Sequence, residues 1–88
     1  MKLKYNFAIQ HVLDFWAAVP VGSDSRRYEG IIVLNETAKD MMQYLHDDIS
    51  EEELMQKMLA EYDVDEATLR PEMQDFIAKL RETGVLVE

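Results

Sequence analysis

The residues that could coordinate a metal are two histidines and a dense group of carboxylates. His11 lies in a strand-like segment and His46 near the end of a predicted helix, so their spacing does not form a ligand pair. The stretch "DDISEEE", Asp47–Glu53, offers oxygen ligands, but it lacks the alternating ligands, central glycine and twelfth-position glutamate of a calcium loop. The helix dipole favours negative charge at a helix start, which explains the glutamates structurally. With no cysteine in the chain, we expect neither a metal nor another cofactor.

Nucleophilic and acid–base catalysis have as little support. The serines, Ser23, Ser25 and Ser50, do not lie in a glycine-rich elbow, and the three glycines are too far apart to form a phosphate-binding loop. Abundant carboxylates are not an acid–base pair, because that role needs two of them in different environments of one cleft. A chain of 88 residues would also have difficulty enclosing a substrate. We therefore expect a protein that is not an enzyme.

Charge is distributed unevenly along the chain. The formal net charge is −9. Residues 1–35 carry four basic and three acidic side chains, a net +1, whereas residues 36–88 carry five basic and fifteen acidic side chains, a net −10. Duplex-binding proteins gain most of their affinity by neutralising phosphates with Lys and Arg. Nucleic acid is therefore not an expected partner, and a basic peptide or protein fits the charge better.

The first third of the chain has the pattern of strands. "YNFAIQHV" places Tyr5, Phe7 and Ile9 on one face at period two. Leu13 and Asp14 then predict a tight turn into "FWAAVPVG", which is apolar on both faces, as in a central strand. Pro20 belongs near the end of that strand, because proline cannot donate to a ladder. After a loop over Gly22–Glu29, Gly30–Leu34 predicts a third strand.

Capping residues and apolar periodicity predict three helices after the strands. Asn35 is a good N-cap for the first helix, and Ser50 with Glu53 forms a capping box for the second. Asp65 or Thr68 caps the third, and Pro71 favours Thr68 because proline is tolerated in a first turn. Gly84 fits a left-handed C-terminal cap. We predict one α+β domain over residues 1–88, with a three-stranded antiparallel sheet followed by three helices.

The third strand, "GIIVL", raises a functional question. In a meander it lies at a sheet edge, yet it has no Lys, Pro or bulge to block pairing with another chain. Either another chain adds to this edge or a helix or loop covers it, and the residues alone leave both open. The methionines on the apolar helical stripes fit the core, or an adaptable peptide groove; Met73 is the one most readily assigned to a groove.

Three stretches in order resemble the PqqD family, the pyrroloquinoline quinone biosynthesis protein D type. They are "GIIVLNETA", "ISEEELMQKMLAEYDVDEATL" and "PEMQDFIAKLRETGVLV", and the resemblance covers residues 7–87. Within them, Leu34–Thr37, Tyr62–Val64 and the Phe76 to Leu86 ending are the most specific. The chain departs from the family in its first helix, where Met42 stands in place of the usual Trp; its only Trp is Trp16.

The resemblance implies a winged helix-turn-helix-like fold and a non-catalytic recognition element of ribosomal peptide modification systems. Such domains bind the leader of a precursor peptide as an added strand on the third strand, alongside the third helix. They then present it to a modifying enzyme, commonly a radical SAM enzyme. Carried onto this chain, the peptide-binding residues are Glu29, Gly30, Ile31, Ile32, Val33 and Leu34 on the strand, and Leu69, Met73, Phe76, Ile77 and Leu80 on the helix.

Two other functions share these features. A winged-helix DNA-binding domain has the same architecture, although the net charge opposes it. A self-association module could use the same edge strand to form a homodimer. The N-terminus has no apolar run of signal-peptide length and no window reaches the ~18 apolar residues of a membrane span, so we expect a cytoplasmic bacterial protein that does not enter a membrane.

Overall fold

A computed structural model describes all residues, 1–88. Five strands and three helices follow one another as β1 (Lys2–Leu3), β2 (Phe7–Val12), β3 (Phe15–Pro20), β4 (Ile32–Leu34), α1 (Glu36–Tyr44), α2 (Glu51–Glu61), α3 (Glu66–Glu82) and β5 (Leu86–Val87). A 3₁₀ helix, Gly22–Arg26, lies between β3 and β4. The α+β class, with a three-stranded antiparallel sheet followed by three helices, is as predicted. None of the helices is both long and apolar enough to span a membrane.

The main sheet is an antiparallel meander in the order β2-β3-β4. The turn between β2 and β3 places Leu13 at a φ of 54°, where the predicted tight turn falls. β3 is the central strand and Pro20 is its last residue, as its two apolar faces and the proline indicated. Trp16 pairs with Leu34 and Ala18 with Ile32, and these residues point toward the helices because Leu34 and Ala18 are buried in the core.

β4 is shorter than the predicted third strand. Gly30 has a φ of +97°, a left-handed conformation that interrupts an extended chain, and the ladder with β3 begins only at Ile32. Glu29, Gly30 and Ile31 therefore precede the strand instead of forming part of it. The buried Asp24 joins the 3₁₀ helix to the start of β2, since its Oδ2 accepts a hydrogen bond from the backbone N–H of Asn6 at 2.8 Å.

The predicted caps of the first two helices are confirmed. The Oδ1 of Asn35 accepts a hydrogen bond from the backbone N–H of Ala38 at 2.8 Å. In the capping box of α2, Ser50 Oγ accepts from the N–H of Glu53 at 3.0 Å while Glu53 Oε1 accepts from the N–H of Ser50 at 3.2 Å. Both helices thus begin where local hydrogen bonding predicted.

Of the two predicted caps of α3, the structure has Asp65, and the preference for Thr68 is wrong. Asp65 is the N-cap, its Oδ1 accepting the backbone N–H of Thr68 at 2.9 Å, and Pro71 lies inside the helix. Burial of Leu69 in the core and the ion pair between Arg70 and Glu66, 2.7 Å long, stabilise the turn before the proline. These contacts offset the hydrogen bond that Pro71 cannot donate.

The end of α3 leads into a second, two-stranded sheet that the sequence analysis did not predict. Gly84 has a φ of +75°, and the N–H groups of Gly84 and Val85 donate to the carbonyls of Arg81 and Leu80 at 3.1 and 3.2 Å, the Schellman pattern. Val85 is fully buried. Leu86–Val87 then pairs with Lys2–Leu3, which joins the two ends of the chain.

The hydrophobic core lies between the sheet and the helices. One cluster of 17 buried residues contains Met41, Met42, Met55, Met58 and Met73. Met42, which replaces the Trp usual in the family, is fully buried, whereas Trp16 is partly buried and packs against the cluster from β3. Met73, the methionine most readily assigned to a groove, is also fully buried.

Candidate functional site

A groove runs between β4 and α3, with α1 at its base, and has a volume of about 290 Å³. We call it the β4–α3 groove. Its lining combines apolar residues with charged and polar side chains: Ile32, Val33, Asn35, Ala38, Met41, Glu72, Asp75, Phe76, Lys79, Leu80 and Thr83. The groove thus lies beside the sheet edge that the sequence analysis found undefended.

One side of the groove is the free edge of β4. This strand pairs only with β3, and the outward N–H and C=O groups of residues 31–34 form no other backbone hydrogen bond within the chain. Ile31 and Val33 are 54% and 65% exposed. No helix or loop of the chain therefore pairs with this edge, which can accept the backbone of another strand.

The other side is formed by α3. Glu72, Asp75, Phe76, Lys79, Leu80 and Thr83 recur at spacings of three and four residues, which places them on one face of the helix. Leu80, Met41 and Ala38 are buried and close the base of the groove, while Phe76 is only partly buried. The side chain of Phe76 is thus the large apolar surface that an occupant would meet.

The residues predicted to bind a peptide separate into three groups. Ile32, Val33, Phe76 and Leu80 line the groove, and Glu29, Gly30, Ile31 and Leu34 lie before or within β4. Leu69, Met73 and Ile77 are buried in the hydrophobic core and do not line the groove. Contact between any of these residues and a peptide stays a prediction.

Several groove residues were not singled out from the sequence. Asn35, Ala38 and Met41 come from the start of α1, and Glu72, Asp75, Lys79 and Thr83 come from the polar side of α3. The available signal was that Glu72, Lys79 and Thr83 lie one helical turn from Phe76 or Leu80, and that Asp75 lies one turn from Lys79. This spacing does not show which side of the apolar stripe of α3 faces the groove. That side is decided by how α3 packs against the other elements.

Asn35 has both a structural and a potential binding role. Its Oδ1 caps α1, and its side chain also lines the groove. The Nδ2 group forms no hydrogen bond within the chain. An amide carries two N–H donors on this atom, so Asn35 can donate to an occupant of the groove while continuing to cap the helix.

A cluster of aromatic and charged residues holds β3 and α2 against α1. The ring of Trp16 stacks on His11 with centroids 4.2 Å apart, and Lys39 Nζ lies 4.6 Å from the Trp16 centroid. Lys39 also pairs with Asp40 at 2.9 Å, and Asp40 accepts a hydrogen bond from the hydroxyl of Tyr62. Burial first, and then this hydrogen bond, raise the pKa of Tyr62 above its ordinary value.

The groove brings together groups that can bind an extended chain. No group of three or more His, Asp or Glu side chains is placed to hold a metal ion. The groove offers unpaired backbone groups at β4, apolar surface at Phe76 and Leu80, and charged side chains at its rim. These are the elements by which extended peptides are bound through β-strand addition.

Comparison with known proteins finds a matching family model and a similar solved structure. The model of the family described as "Coenzyme PQQ synthesis protein D (PqqD)" matches residues 24–86. A solved structure, "TbiB1 in Complex with the TbiA(beta) Leader Peptide", is similar with a TM-score of 0.70 over 98% of this chain and 94% of that one, at 21% sequence identity. None of the curated proteins matches the chain significantly. The similarity to TbiB1 establishes the shared fold.

Proposed function

The chain belongs to the PqqD family, and on that premise we propose that it is a non-catalytic module that binds the leader of a ribosomally made precursor peptide. The leader adds as a strand to the free edge of β4 and places alternate side chains in the β4–α3 groove. The module then presents the precursor to a modifying enzyme, of the radical SAM class. The observation that carries the proposal is the unpaired edge of β4 beside an open groove.

The solved relative supports the choice of ligand. TbiB1 was solved in complex with the TbiA(beta) leader peptide, and its fold extends over nearly the whole of this chain. An undefended edge strand is uncommon in a stable protein, because it promotes aggregation. A leader strand that covers it during function explains why the sequence keeps the edge free.

Micromolar binding of a leader requires both the free edge of β4 and the β4–α3 groove. Four to six backbone hydrogen bonds at roughly 0.5–1.5 kcal/mol each give only a few kcal/mol. Micromolar binding needs about 8 kcal/mol after the cost of ordering a flexible peptide. Each apolar leader side chain that is fully buried against Phe76 and Leu80 adds about 1.5–3 kcal/mol. Backbone pairing thus sets the register, and the groove decides which leader is accepted.

The test is an NMR titration of isotope-labelled protein with the leader halves of precursor peptides encoded beside its gene. We expect amide shifts concentrated on residues 29–35 and 72–83.

Two variants test the edge and the groove separately. Ile32→Pro distorts β4 and removes an amide, so it should abolish binding. Phe76→Ala should weaken binding about tenfold or more, because an apolar contact is lost. Val12→Ala, a truncation of an exposed apolar residue at the end of β2, is the matched control.

Circular dichroism separates loss of binding from loss of folding. If folded Ile32→Pro and Phe76→Ala proteins keep the wild-type affinity for a leader that binds, the β4–α3 groove is not the binding site. If none of the leaders shifts amides along β4, the strand-addition function itself is wrong, and the module binds a different partner.

A further inference from the structure

The charged side chains that line the groove have no partners within the chain. Glu72, Asp75 and Lys79 are exposed and form neither an ion pair nor a side-chain hydrogen bond. The other basic residues of α3 are occupied. Arg70 pairs with Glu66 at 2.7 Å and with Glu52 at 3.4 Å, and Arg81 pairs with Glu88 at 2.6 Å. The groove charges are therefore available to an occupant.

These charges are ordered along the groove. From Glu72 to Thr83 the helix rises about 16 Å at 1.5 Å per residue, which is the length of about five residues of an extended strand. Two acidic side chains lie toward the start of α3, and Lys79 lies about one turn beyond Asp75. Phe76 and Leu80 supply apolar surface next to them. The groove thus has an acidic end and a basic end.

Backbone pairing alone does not choose among leader sequences. A free edge forms the same ladder of hydrogen bonds with any extended chain, and Phe76 and Leu80 accept many apolar side chains. The order of charged residues differs between leaders, because only one order places opposite charges next to each other. Like charges brought together by the other order repel.

We propose that the β4–α3 groove holds the leader in one direction and selects a segment whose inward side chains run basic, apolar and acidic from the Glu72 end to the Lys79 end, so that charge order decides which leader is accepted. This inference rests on the proposed function and specifies its substrate class. Alternate residues of a strand point to one face, so the three side chains occupy every second position of the leader.

The effect of each charge is modest and sensitive to salt. An exposed ion pair changes an equilibrium by less than about fivefold. Exchanging the basic and acidic residues of the leader turns several attractions into repulsions, so we expect about tenfold weaker binding. Exposed charges are screened at high ionic strength, and the difference between the two peptides should then largely disappear.

The experiment begins with a display library of randomised short peptides, selected on the folded wild-type protein. Parallel selections use Phe76→Ala, the double variant Glu72→Lys/Asp75→Lys, and the control double variant Asp47→Lys/Asp63→Lys. The control makes the same change in net charge at exposed residues outside the groove. We expect the wild type and the control to enrich peptides with a basic residue two positions from an apolar one. Peptides selected on Glu72→Lys/Asp75→Lys should lack that basic residue.

An enriched peptide and its counterpart with the basic and acidic residues exchanged are then compared by calorimetry. They have identical composition, so only charge order differs. Weaker binding of the exchanged peptide to wild type, and its recovery on Glu72→Lys/Asp75→Lys/Lys79→Glu, supports the inference. Equal affinities of the two peptides for wild type overturn the charge inference while leaving strand addition intact. Enrichment that does not change in Phe76→Ala contradicts the proposed function as well.

Discussion

Tyr62 illustrates how one side chain connects two helices of this small domain. Its hydroxyl donates a hydrogen bond to Asp40 of α1 from the end of α2. A reciprocal bond runs from Tyr44 of α1 to Glu61 of α2, and that bond is the first cause of the raised pKa of Tyr44. Asp40 also pairs with Lys39, which lies over Trp16. Tyr62, the first residue of the "YDV" stretch that resembles the family, thus has a structural role in joining α1 and α2.

We predict that Tyr62→Phe lowers the free energy of unfolding by about 1 kcal/mol at neutral pH, because Asp40 loses one donor. The folded-state pKa of Tyr62 is raised above its ordinary value of 10.0. The contribution of the Tyr62 hydroxyl to the free energy of unfolding is therefore fully present below pH 10.0. It is lost as the pH rises toward the folded-state pKa. Urea unfolding of both proteins from neutral to alkaline pH measures this difference.

Tyr28→Phe is the control, because the ring of Tyr28 packs on Tyr5 and Phe7 while its hydroxyl forms no hydrogen bond in the chain. We expect the stability of that variant to follow the wild type at all pH values. A constant difference between wild type and Tyr62→Phe across the alkaline range would show that the lost stability does not come from the hydrogen bond to Asp40.

At the scale of elements, α3 supports both the core and the groove. Its fully buried side, with Leu69, Met73 and Ile77, packs in the core, and the adjacent side carries the groove residues. Extending the helix back to Asp65 adds the Asp65 cap and the ion pair between Glu66 and Arg70 at the cost of enclosing Pro71. These local bonds, and the ion pair of Arg70 with Glu52 of α2, stabilise the first turn against the local preference of proline.

We predict that Pro71→Ala raises the free energy of unfolding by about 1–3 kcal/mol, since it restores a helical hydrogen bond and removes a clash. Asp65→Ala should destabilise the protein because it removes the cap, whereas Asp63→Ala, a change of the same charge in the preceding turn, should not. Urea unfolding measures all three. If the helix began at Thr68, Asp65→Ala would be as neutral as Asp63→Ala, and Pro71→Ala would give little gain.

At the scale of the whole molecule, the sheet and the helices form two layers. The principal extents are 39 × 32 × 19 Å, and the short axis fits one layer of each kind. The acidic side chains are concentrated in the helical half, where residues 36–88 have a net charge of −10. This distribution opposes duplex binding and repels other copies of the chain.

We predict that the protein without peptide is monomeric at micromolar concentrations. β4 has three residues, and a few hydrogen bonds at roughly 0.5–1.5 kcal/mol each do not exceed an association cost of at least about 4 kcal/mol when like charges also repel. Sedimentation velocity over a range of concentrations, with and without a bound leader, measures the mass. A dimer that dissociates in Ile32→Pro or on addition of peptide would instead support a self-association module.

Local interactions account for what the sequence predicted correctly. The caps at Asn35 and Ser50, the left-handed Gly84 and the alternation of the strands depend on residues within a few positions of each other. The meander and the undefended edge strand follow from these patterns. The resemblance to the family rests on the same short stretches, and the family match over residues 24–86 agrees with it.

Contacts between residues distant in sequence decided the rest. The pairing of Lys2–Leu3 with Leu86–Val87 joins the two ends of the chain, and no local pattern encodes it. The first turn of α3 contacts another helix through the ion pair of Arg70 with Glu52 of α2. From sequence, the apolar stripe of α3 was continuous; only its packing placed Met73 and Ile77 in the core and left Phe76 in the groove. The sequence by itself thus determined the three main strands and the three helices. Tertiary packing determined that the edge of β4 is uncovered and that a groove lies beside it, because a groove is the space left between elements that periodicity does not position.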